Sequence, residues 1–330
     1  MLKMENKKTW LVTGCAGFIG SNLIEYLLKN EQLVIGLDNF ATGYQHNLDE
    51  VQNNLDDKLW QNFTFIQGDI RDLATCMNAT KNVDIVLHQA ALGSVPRSIN
   101  DPLTSHEVNV SGFVNILKAS IDNKVQRFVY ASSSSVYGDH PGLPKHEQQI
   151  GSQLSPYAVT KYANELYANV FAKIYNIEVI GLRYFNVFGQ RQNPSGAYAA
   201  VIPLWVSAFL NHQAPIINGD GDTSRDFCYI DNVVDMNVLC GITENKAAVN
   251  LVYNVACAEK TSLNQLYTYI KDLIDPHSTL APLYKDFRQG DVRHSLADIS
   301  LAKSMLGYMP RYTVMEGLRE AIKWYKGSNK

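Results

Sequence analysis

The chain is poor in the features that mark membrane, secreted and nucleic-acid-binding proteins. No apolar run approaches the roughly 20 residues that cross a bilayer. The opening stretch MLKMENKKTW lacks the apolar core of a signal peptide. Neither a membrane partner nor a secretory leader is therefore expected. Cysteine is sparse: Cys15, Cys76, Cys228, Cys240 and Cys257 are scattered and odd in number. No disulfide framework or metal-ligand spacing is visible, so no metal is expected, and a reducing cytoplasm fits. There is no basic excess, with 29 Lys and Arg against 32 Asp and Glu. Nucleic acid as a partner thus has no electrostatic support. Internal repeats, low-complexity tracts and charge blocks are also missing.

What is present is an alternating pattern. Short β-branched runs stand at 9–14, 32–38, 63–69, 83–89, 126–132 and 178–184. Longer amphipathic stretches separate them. Apolar runs of this length between helices predict a parallel sheet buried on both faces, a doubly wound α/β fold of Rossmann type. Helices are expected near 18–30, 103–123 and 157–176, the last opened by Ser155-Pro156. After residue 186 the pattern loosens into loops, a helix near 200–211 and Gly/Asp-rich turns at 218–222. A smaller, discontinuous α/β substrate domain is expected there, over 187–330. The run 252–256 is a candidate to return to the sheet, so 1–186 plus a segment near 228–256 is expected to form the first domain.

The segment Gly14-Cys15-Ala16-Gly17-Phe18-Ile19-Gly20 follows the first strand and opens the first helix. Glycines permit a tight turn and close approach to a pyrophosphate, which the helix N-terminus attracts. Asp38 ends the second strand, 18 residues after Gly20. A carboxylate there accepts hydrogen bonds from ribose hydroxyls and repels a 2′-phosphate, favouring NAD over NADP. Asp69-Ile70 after the third strand is either an adenine contact or, for Asp69, the N-cap of the next helix.

Tyr157 and Lys161 form Y-x-x-x-K. On a helix they share one face, one turn apart. An ammonium beside a phenol stabilises the phenolate and draws its pKa down from about 10, so the tyrosine can serve as a general base. The serine cluster Ser132-Ser133-Ser134-Ser135 ends a strand, with Ser133 standing 24 residues before Tyr157. Strand ends face the ligand crevice of such sheets, where a hydroxyl can hydrogen-bond the reacting oxygen.

Together these residues resemble the extended short-chain dehydrogenase/reductases, and among them the UDP-hexose 4-epimerases. The match covers GCAGFIG, DNF, GDIRD, HQAA, ASSSSVYGD, SPYAVTK, LRYFNVFG, GDGDTSRDFCYIDN and FRQGDVRHSLAD. It is nearest to the bacterial UDP-N-acetylglucosamine 4-epimerases of surface-polysaccharide pathways. The resemblance implies Ser133, Tyr157 and Lys161 as the catalytic trio. It implies NAD against the glycine turn, Phe18, Ile19, Asp38, Asn39, Asp69, Ile70, Gln89, Ala90, Ala91 and Tyr184. It places a UDP-sugar against Asn186, Val201, Asn218, Arg225, Arg288 and Asp291. Gly93, Ser94, Ser134, Asn186 and Ala200 would wall an acetamido pocket, with Ser295 as its gate where relatives restricted to UDP-glucose and UDP-galactose carry tyrosine. The implied chemistry is oxidation at C4, rotation of the 4-keto sugar and reduction from the opposite face. Gln89 departs slightly from the small apolar residue usual in that motif.

Dehydratases of this superfamily place Asp and Glu after the catalytic hydroxyl, and decarboxylases a Glu at the second position. This chain has Ser134 and Ser135, so the acid–base pair for elimination is missing. A non-enzymatic NAD-binding protein would require loss of the trio, which is intact. Phe113, Ile116 and Leu117 on one helix, and Tyr162, Leu166, Val170 and Ile174 on another, exceed what one sheet face needs. A homodimer through a four-helix bundle is expected.

Overall fold

A computed structural model describes residues 4, 6–194, 199–287 and 292–328. The first part alternates strands and helices: β1 (Thr9–Thr13), α1 (Phe18–Lys29), β2 (Leu33–Asp38), α2 (Gln45–Asn53), α3 (Asp57–Trp60), β3 (Phe63–Gln67), α4 (Leu73–Ala79) and β4 (Ile85–His88). Then come α5 (Val95–Asn100), α6 (Pro102–His106), a π-helical turn (Glu107–Gly112), α7 (Phe113–Asp122) and β5 (Arg127–Ser133). A 3₁₀ turn (Ser134–Tyr137), α8 (Pro156–Tyr175) and β6 (Glu178–Tyr184) complete this part. The six expected strands are all present. The expected helix over 103–123 is continuous in direction, but the π turn divides it.

The remainder holds β7 (Val187–Phe188), α9 (Val201–Leu210), β8 (Ile216–Asn218), β9 (Ser224–Arg225), β10 (Cys228–Tyr229), α10 (Ile230–Ile242) and β11 (Leu251–Val255). It continues with β12 (Thr261–Ser262), α11 (Leu263–Ile274), β13 (Leu283–Lys285), α12 (Ser300–Leu306) and α13 (Val314–Ser328). Three small two-stranded pairings, β7 with β10, β8 with β13 and β9 with β12, belong to this part. β11 returns to the main sheet beside β6, as the apolar run suggested.

The main sheet is parallel, in the order β11-β6-β5-β4-β1-β2-β3. This is the doubly wound architecture. The order reverses between β1 and β4, and in such sheets ligands bind outside the strand carboxyl ends at that switch point. Alternation along β1 shows why both faces are buried: Trp10 and Val12 join one apolar cluster, Leu11 the other. Among the described residues no helix is long and apolar enough to cross a membrane.

One expectation about apolar faces needs correction. Phe113, Ile116 and Leu117 are fully buried in their own chain's core, packed with Phe128 and Ala168. The stripe expected on α8 is uncovered at Leu166, Val170 and Ile174, with Tyr162 half-buried, and it extends to Val159, Tyr167 and the neighbouring Ile99 and Leu103. Ile174 is 65% exposed and Leu103 77%. The C-terminal α13 packs on α9, α11 and β10.

Candidate active site

The turn after β1 is built for close approach. Gly14 has φ +68°, and a Cβ there would stand 2.8 Å from the backbone nitrogen of Ala90. A Cβ on Gly20 would meet the Gly14 carbonyl oxygen at 2.1 Å. Only glycine suits either position. Gly17 caps α1 without any side-chain hydrogen bond, which leaves the first N–H groups of this 12-residue helix for a ligand. Phe18 and Ile19 open the helix, and Ala90 donates its N–H to Thr13 Oγ1 at 3.2 Å across the switch point, next to Ala91.

Asp38 ends β2 and is buried. Its carboxylate accepts the N–H groups of Ala16 (2.9 Å) and Phe40 (2.8 Å), tying the strand end to the glycine turn. Burial outweighs these bonds and holds its pKa above the usual carboxylate range. Two oxygens offer about four acceptor positions, so capacity remains for ribose hydroxyls. Asn39 donates to Asp69 Oδ2 at 2.9 Å. Asp69 does not cap the following helix. Asp72 does, accepting from Ala74 and Thr75. Asp69 pairs with Arg71 at 2.7 Å, which pulls its carboxyl down to about 2. Ile70 is buried and fills the space beside Gly112.

Ser155 caps α8 by accepting the Ala158 N–H at 3.1 Å, with Pro156 in the first turn. The capped helix aims Tyr157 and Lys161 at the end of β5. The Tyr157 phenol lies beside the Ser133 hydroxyl, which favours its ionised form. Ser133 Oγ accepts from Ser135 N (3.1 Å) and Ser135 Oγ (3.0 Å). Lys161 is 3% exposed, and its Nζ donates to the Ala131 carbonyl at 2.9 Å. Burial lowers its pKa to about 8.

The expected downward shift of Tyr157 is not what the protein alone produces. Burial raises the phenol, and only the neighbouring Ser133 hydroxyl opposes it. The Lys161 ammonium stands 6.0 Å from the ring centroid and does not by itself reverse the desolvation. His88 is no rival acid–base group: burial pushes it down to about 3, and its Nδ1 pairs with Thr13 Oγ1 at 2.8 Å.

Tyr184 ends β6 opposite Ser133. Its hydroxyl donates to Gln89 Oε1 at 3.0 Å and accepts from Asn237 Nδ2 at 2.9 Å. The unusual glutamine thus fixes this ring, and burial raises the Tyr184 phenol far above its ordinary value.

Beyond the sheet lies a cavity of about 580 Å³ lined by Asn186, Ala200, Val201, Asn218 and Arg225 among others. These five, expected at the substrate, thus share one cavity wall. Arg225 Nη1 donates to the Ser224 and Arg293 carbonyls. Ser295 is half-buried and donates its N–H to the Ser224 oxygen at 3.0 Å, which fastens it one residue from Arg225. Gly93 has open space around it. Ser94 has φ +96°, a conformation that favours glycine, and its Oγ accepts the Arg97 N–H as the cap of α5. Ser134 begins the 3₁₀ turn after β5. Arg288 and Asp291 lie outside the described residues.

Sequence reasoning missed several neighbours. Trp205, Phe227 and Lys285 also line the cavity, but lone aromatics and lysines in irregular sequence carry no signal. Asn109, inside the π turn, holds the 92–94 loop: its Oδ1 accepts Leu92 N (2.7 Å) and its Nδ2 donates to Leu92 O (3.0 Å) and Thr160 Oγ1 (3.2 Å). Its polarity in an apolar helix was the available clue.

A doubly wound sheet with an uncapped glycine turn at its switch point, and a Tyr–Lys pair against a strand-end serine, defines a dinucleotide-dependent enzyme acting on an alcohol. The chain belongs to the NAD dependent epimerase/dehydratase family, whose model matches residues 10–256. Its cofactor is NAD, and the cramped glycines, the free helix N-terminus and the buried strand-end carboxylate of Asp38 fit it. The chain is 36% identical to a putative UDP-glucose 4-epimerase of Methanocaldococcus jannaschii, over 97% of this chain and 99% of that one. Its fold is similar to the UDP-N-acetylglucosamine 4-epimerase of Methanobrevibacter ruminantium M1, solved with UDP-N-acetylmuramic acid (TM-score 0.90, 36% identity, 98% and 99% coverage). It is also similar to the UDP-glucuronic acid 4-epimerase of Bacillus cereus, solved with UDP-glucuronic acid and NAD (TM-score 0.86, 30% identity, 97% and 99% coverage).

Proposed function

We propose that this protein is a UDP-sugar 4-epimerase that prefers UDP-N-acetylglucosamine and UDP-N-acetylgalactosamine. The observation that carries the reading is the placement of Tyr157 beside Ser133 at the end of β5, with Lys161 one helical turn on and bonded to the Ala131 carbonyl. NAD, when bound, supplies the oxidant at C4 and the reductant for the return. Tyr157 takes the 4-hydroxyl proton as C4 gives up its hydrogen as hydride and C4=O forms, then returns the proton to that oxygen as C4 is reduced from its opposite face. Ser133 holds the reacting oxygen and relays the proton. Lys161 has used one of three donors on Ala131, leaving two for the ribose. Its positive charge, joined by that of the bound cofactor, lowers Tyr157 from the raised value that burial sets.

Residues 1–186, with the return segment near 228–256, are assigned to the dinucleotide and 187–330 mainly to the UDP-sugar. Asn186, Asn218, Arg225, Arg288 and Asp291 hold the nucleotide end, with two guanidiniums suited to a diphosphate. Gly93, Ser94, Ser134, Ala200, Val201 and Ser295 bound the sugar end. Ser295 is small where a tyrosine would crowd an acetamido group during rotation. The apolar stripe of α8, with Ile99 and Leu103, is assigned to a second copy of the chain in a four-helix bundle.

Assay of the purified protein against UDP-glucose, UDP-N-acetylglucosamine, UDP-glucuronic acid and their C4 epimers tests the reading. The largest kcat/KM is expected for the acetylated pair. A best substrate among the uronic acids would contradict the preference, and no epimer of any of them would contradict the function.

A further inference from the structure

Directly behind the trio lies a buried ion pair that none of these steps uses. Glu165 on α8 receives Arg183 of β6 in a two-pronged contact, Nε to Oε1 at 2.9 Å and Nη2 to Oε2 at 2.8 Å. Both side chains are almost fully buried, 6% and 4% exposed. Replacing such a pair by apolar side chains is often neutral or stabilising, so stability alone is a poor reason for its presence.

Its position supplies a better one. Tyr157, Lys161 and Glu165 stand at i, i+4 and i+8 and share a face of α8. Each faces the end of β5: Tyr157 lies beside Ser133, Lys161 donates to the Ala131 carbonyl at 2.9 Å, and Glu165 accepts from Ser132 Oγ at 2.5 Å. Three rungs thus join one helix face to three consecutive strand residues. Arg183, opposite Ser132 on β6, braces the third rung from behind. Its Nη1 donates to the Glu147 carbonyl at 2.9 Å, and its guanidinium lies 4.8 Å from the Tyr137 ring centroid. Tyr137 in turn donates to Asn254 Oδ1 at 2.6 Å on β11. The brace therefore spans α8 and three adjoining strands of the sheet.

We propose that Glu165, paired with Arg183, is a positioning residue that holds α8 in register with the end of β5, so that Tyr157 meets Ser133 and the reacting hydroxyl. The role rests on the reading of Tyr157 as the base. The Glu165 carboxylate is buried and taken up by Ser132 and Arg183, so its loss reaches the chemistry through the helix.

The test replaces the pair as a unit, Glu165→Met with Arg183→Met, which keeps bulk and leaves no uncompensated charge. The double variant should keep its thermal midpoint, its bound NAD and its KM for UDP-N-acetylglucosamine. Its kcat should fall by about 10- to 100-fold, the scale that a misplacement near 1 Å costs. A folded double variant with wild-type kcat overturns the proposal, as does a loss confined to KM. If the double variant does not fold, Ser132→Ala decides, because it removes one rung and leaves the ion pair. A severalfold fall in kcat at constant KM then supports the role, and unchanged kcat overturns it. Tyr157→Phe measured alongside separates the two readings: if it is inactive while the double variant is fully active, only the positioning role fails.

Discussion

On the proposed mechanism Tyr157 acts through one hydroxyl, so removing that oxygen isolates its part. Tyr157→Phe keeps the ring and the helix and deletes the proton acceptor. It should cut kcat by about 10²–10⁴-fold while UDP-sugar binding holds, the range general acid–base catalysis commonly supplies. Steady-state kinetics with a separate UDP-binding titration checks this, and a variant with wild-type kcat would remove Tyr157 as the base. At Ser295 the expected effect is on choice of substrate. Ser295→Tyr should nearly abolish turnover of the acetylated pair and spare UDP-glucose, because the added ring excludes bulk at C2. Comparing kcat/KM for both pairs in both proteins decides, and equal losses would mean that Ser295 is not the gate. The residues legible in the sequence were those fixed by spacing. Gly14, Gly17 and Gly20, then Tyr157 and Lys161, sit at intervals that backbone geometry alone dictates. Glu165 continues that same interval, but its partner Arg183 is a strand away, and nothing in linear sequence pairs them.

At the scale of elements, the parallel strands were readable because each is apolar on both faces. The very short strands β7 to β10, β12 and β13 were not, since two or three residues hold no period. The π turn was hidden for a different reason: Asn109 draws the chain around itself through bonds to Leu92 and Thr160, both distant in sequence. The helix faces were half readable. Apolar residues on α7 and α8 look alike in sequence, yet Phe113 is in the core while Ile174 faces out. Ile174→Glu should shift a dimer to monomer, since a charge left unpaired in an apolar interface costs about 3 kcal/mol or more, roughly two decades in Kd. Light scattering during gel filtration reads the mass. A wild-type protein that is monomeric at micromolar concentration would refute the assignment.

A second prediction at this scale concerns Asp226, between β9 and β10. It is fully buried and accepts the N–H groups of Cys257 (3.0 Å) and Ala297 (3.1 Å). Burial pushes its carboxyl up to about 7 from 3.8. Between these values the unfolded chain has released a proton that the folded one keeps. Its contribution is therefore complete below about pH 4 and is lost as pH rises toward 7. Denaturant titrations of Asp226→Asn should show a shallower decline over that window than wild type. Parallel curves would show that the buried carboxylate is ionised throughout.

At the scale of the whole molecule, the carboxyl ends of the parallel strands bring the glycine turn, Asp38, Ser133 and Tyr184 to one end of the sheet. The strand order makes this possible, because the reversal between β1 and β4 opens a gap that the glycine turn and the 89–94 loop flank. On the proposed mechanism NAD bound there would be restored in each turnover, so the protein should act as a self-contained catalyst. The most direct test is to incubate the purified protein with UDP-N-acetylglucosamine and no added dinucleotide, and to follow the sugar by NMR. The account predicts UDP-N-acetylgalactosamine approaching a fixed ratio with its epimer, with NAD recovered from the denatured protein. A folded, NAD-loaded protein that leaves the substrate unchanged, or that yields a dehydrated sugar, would contradict it.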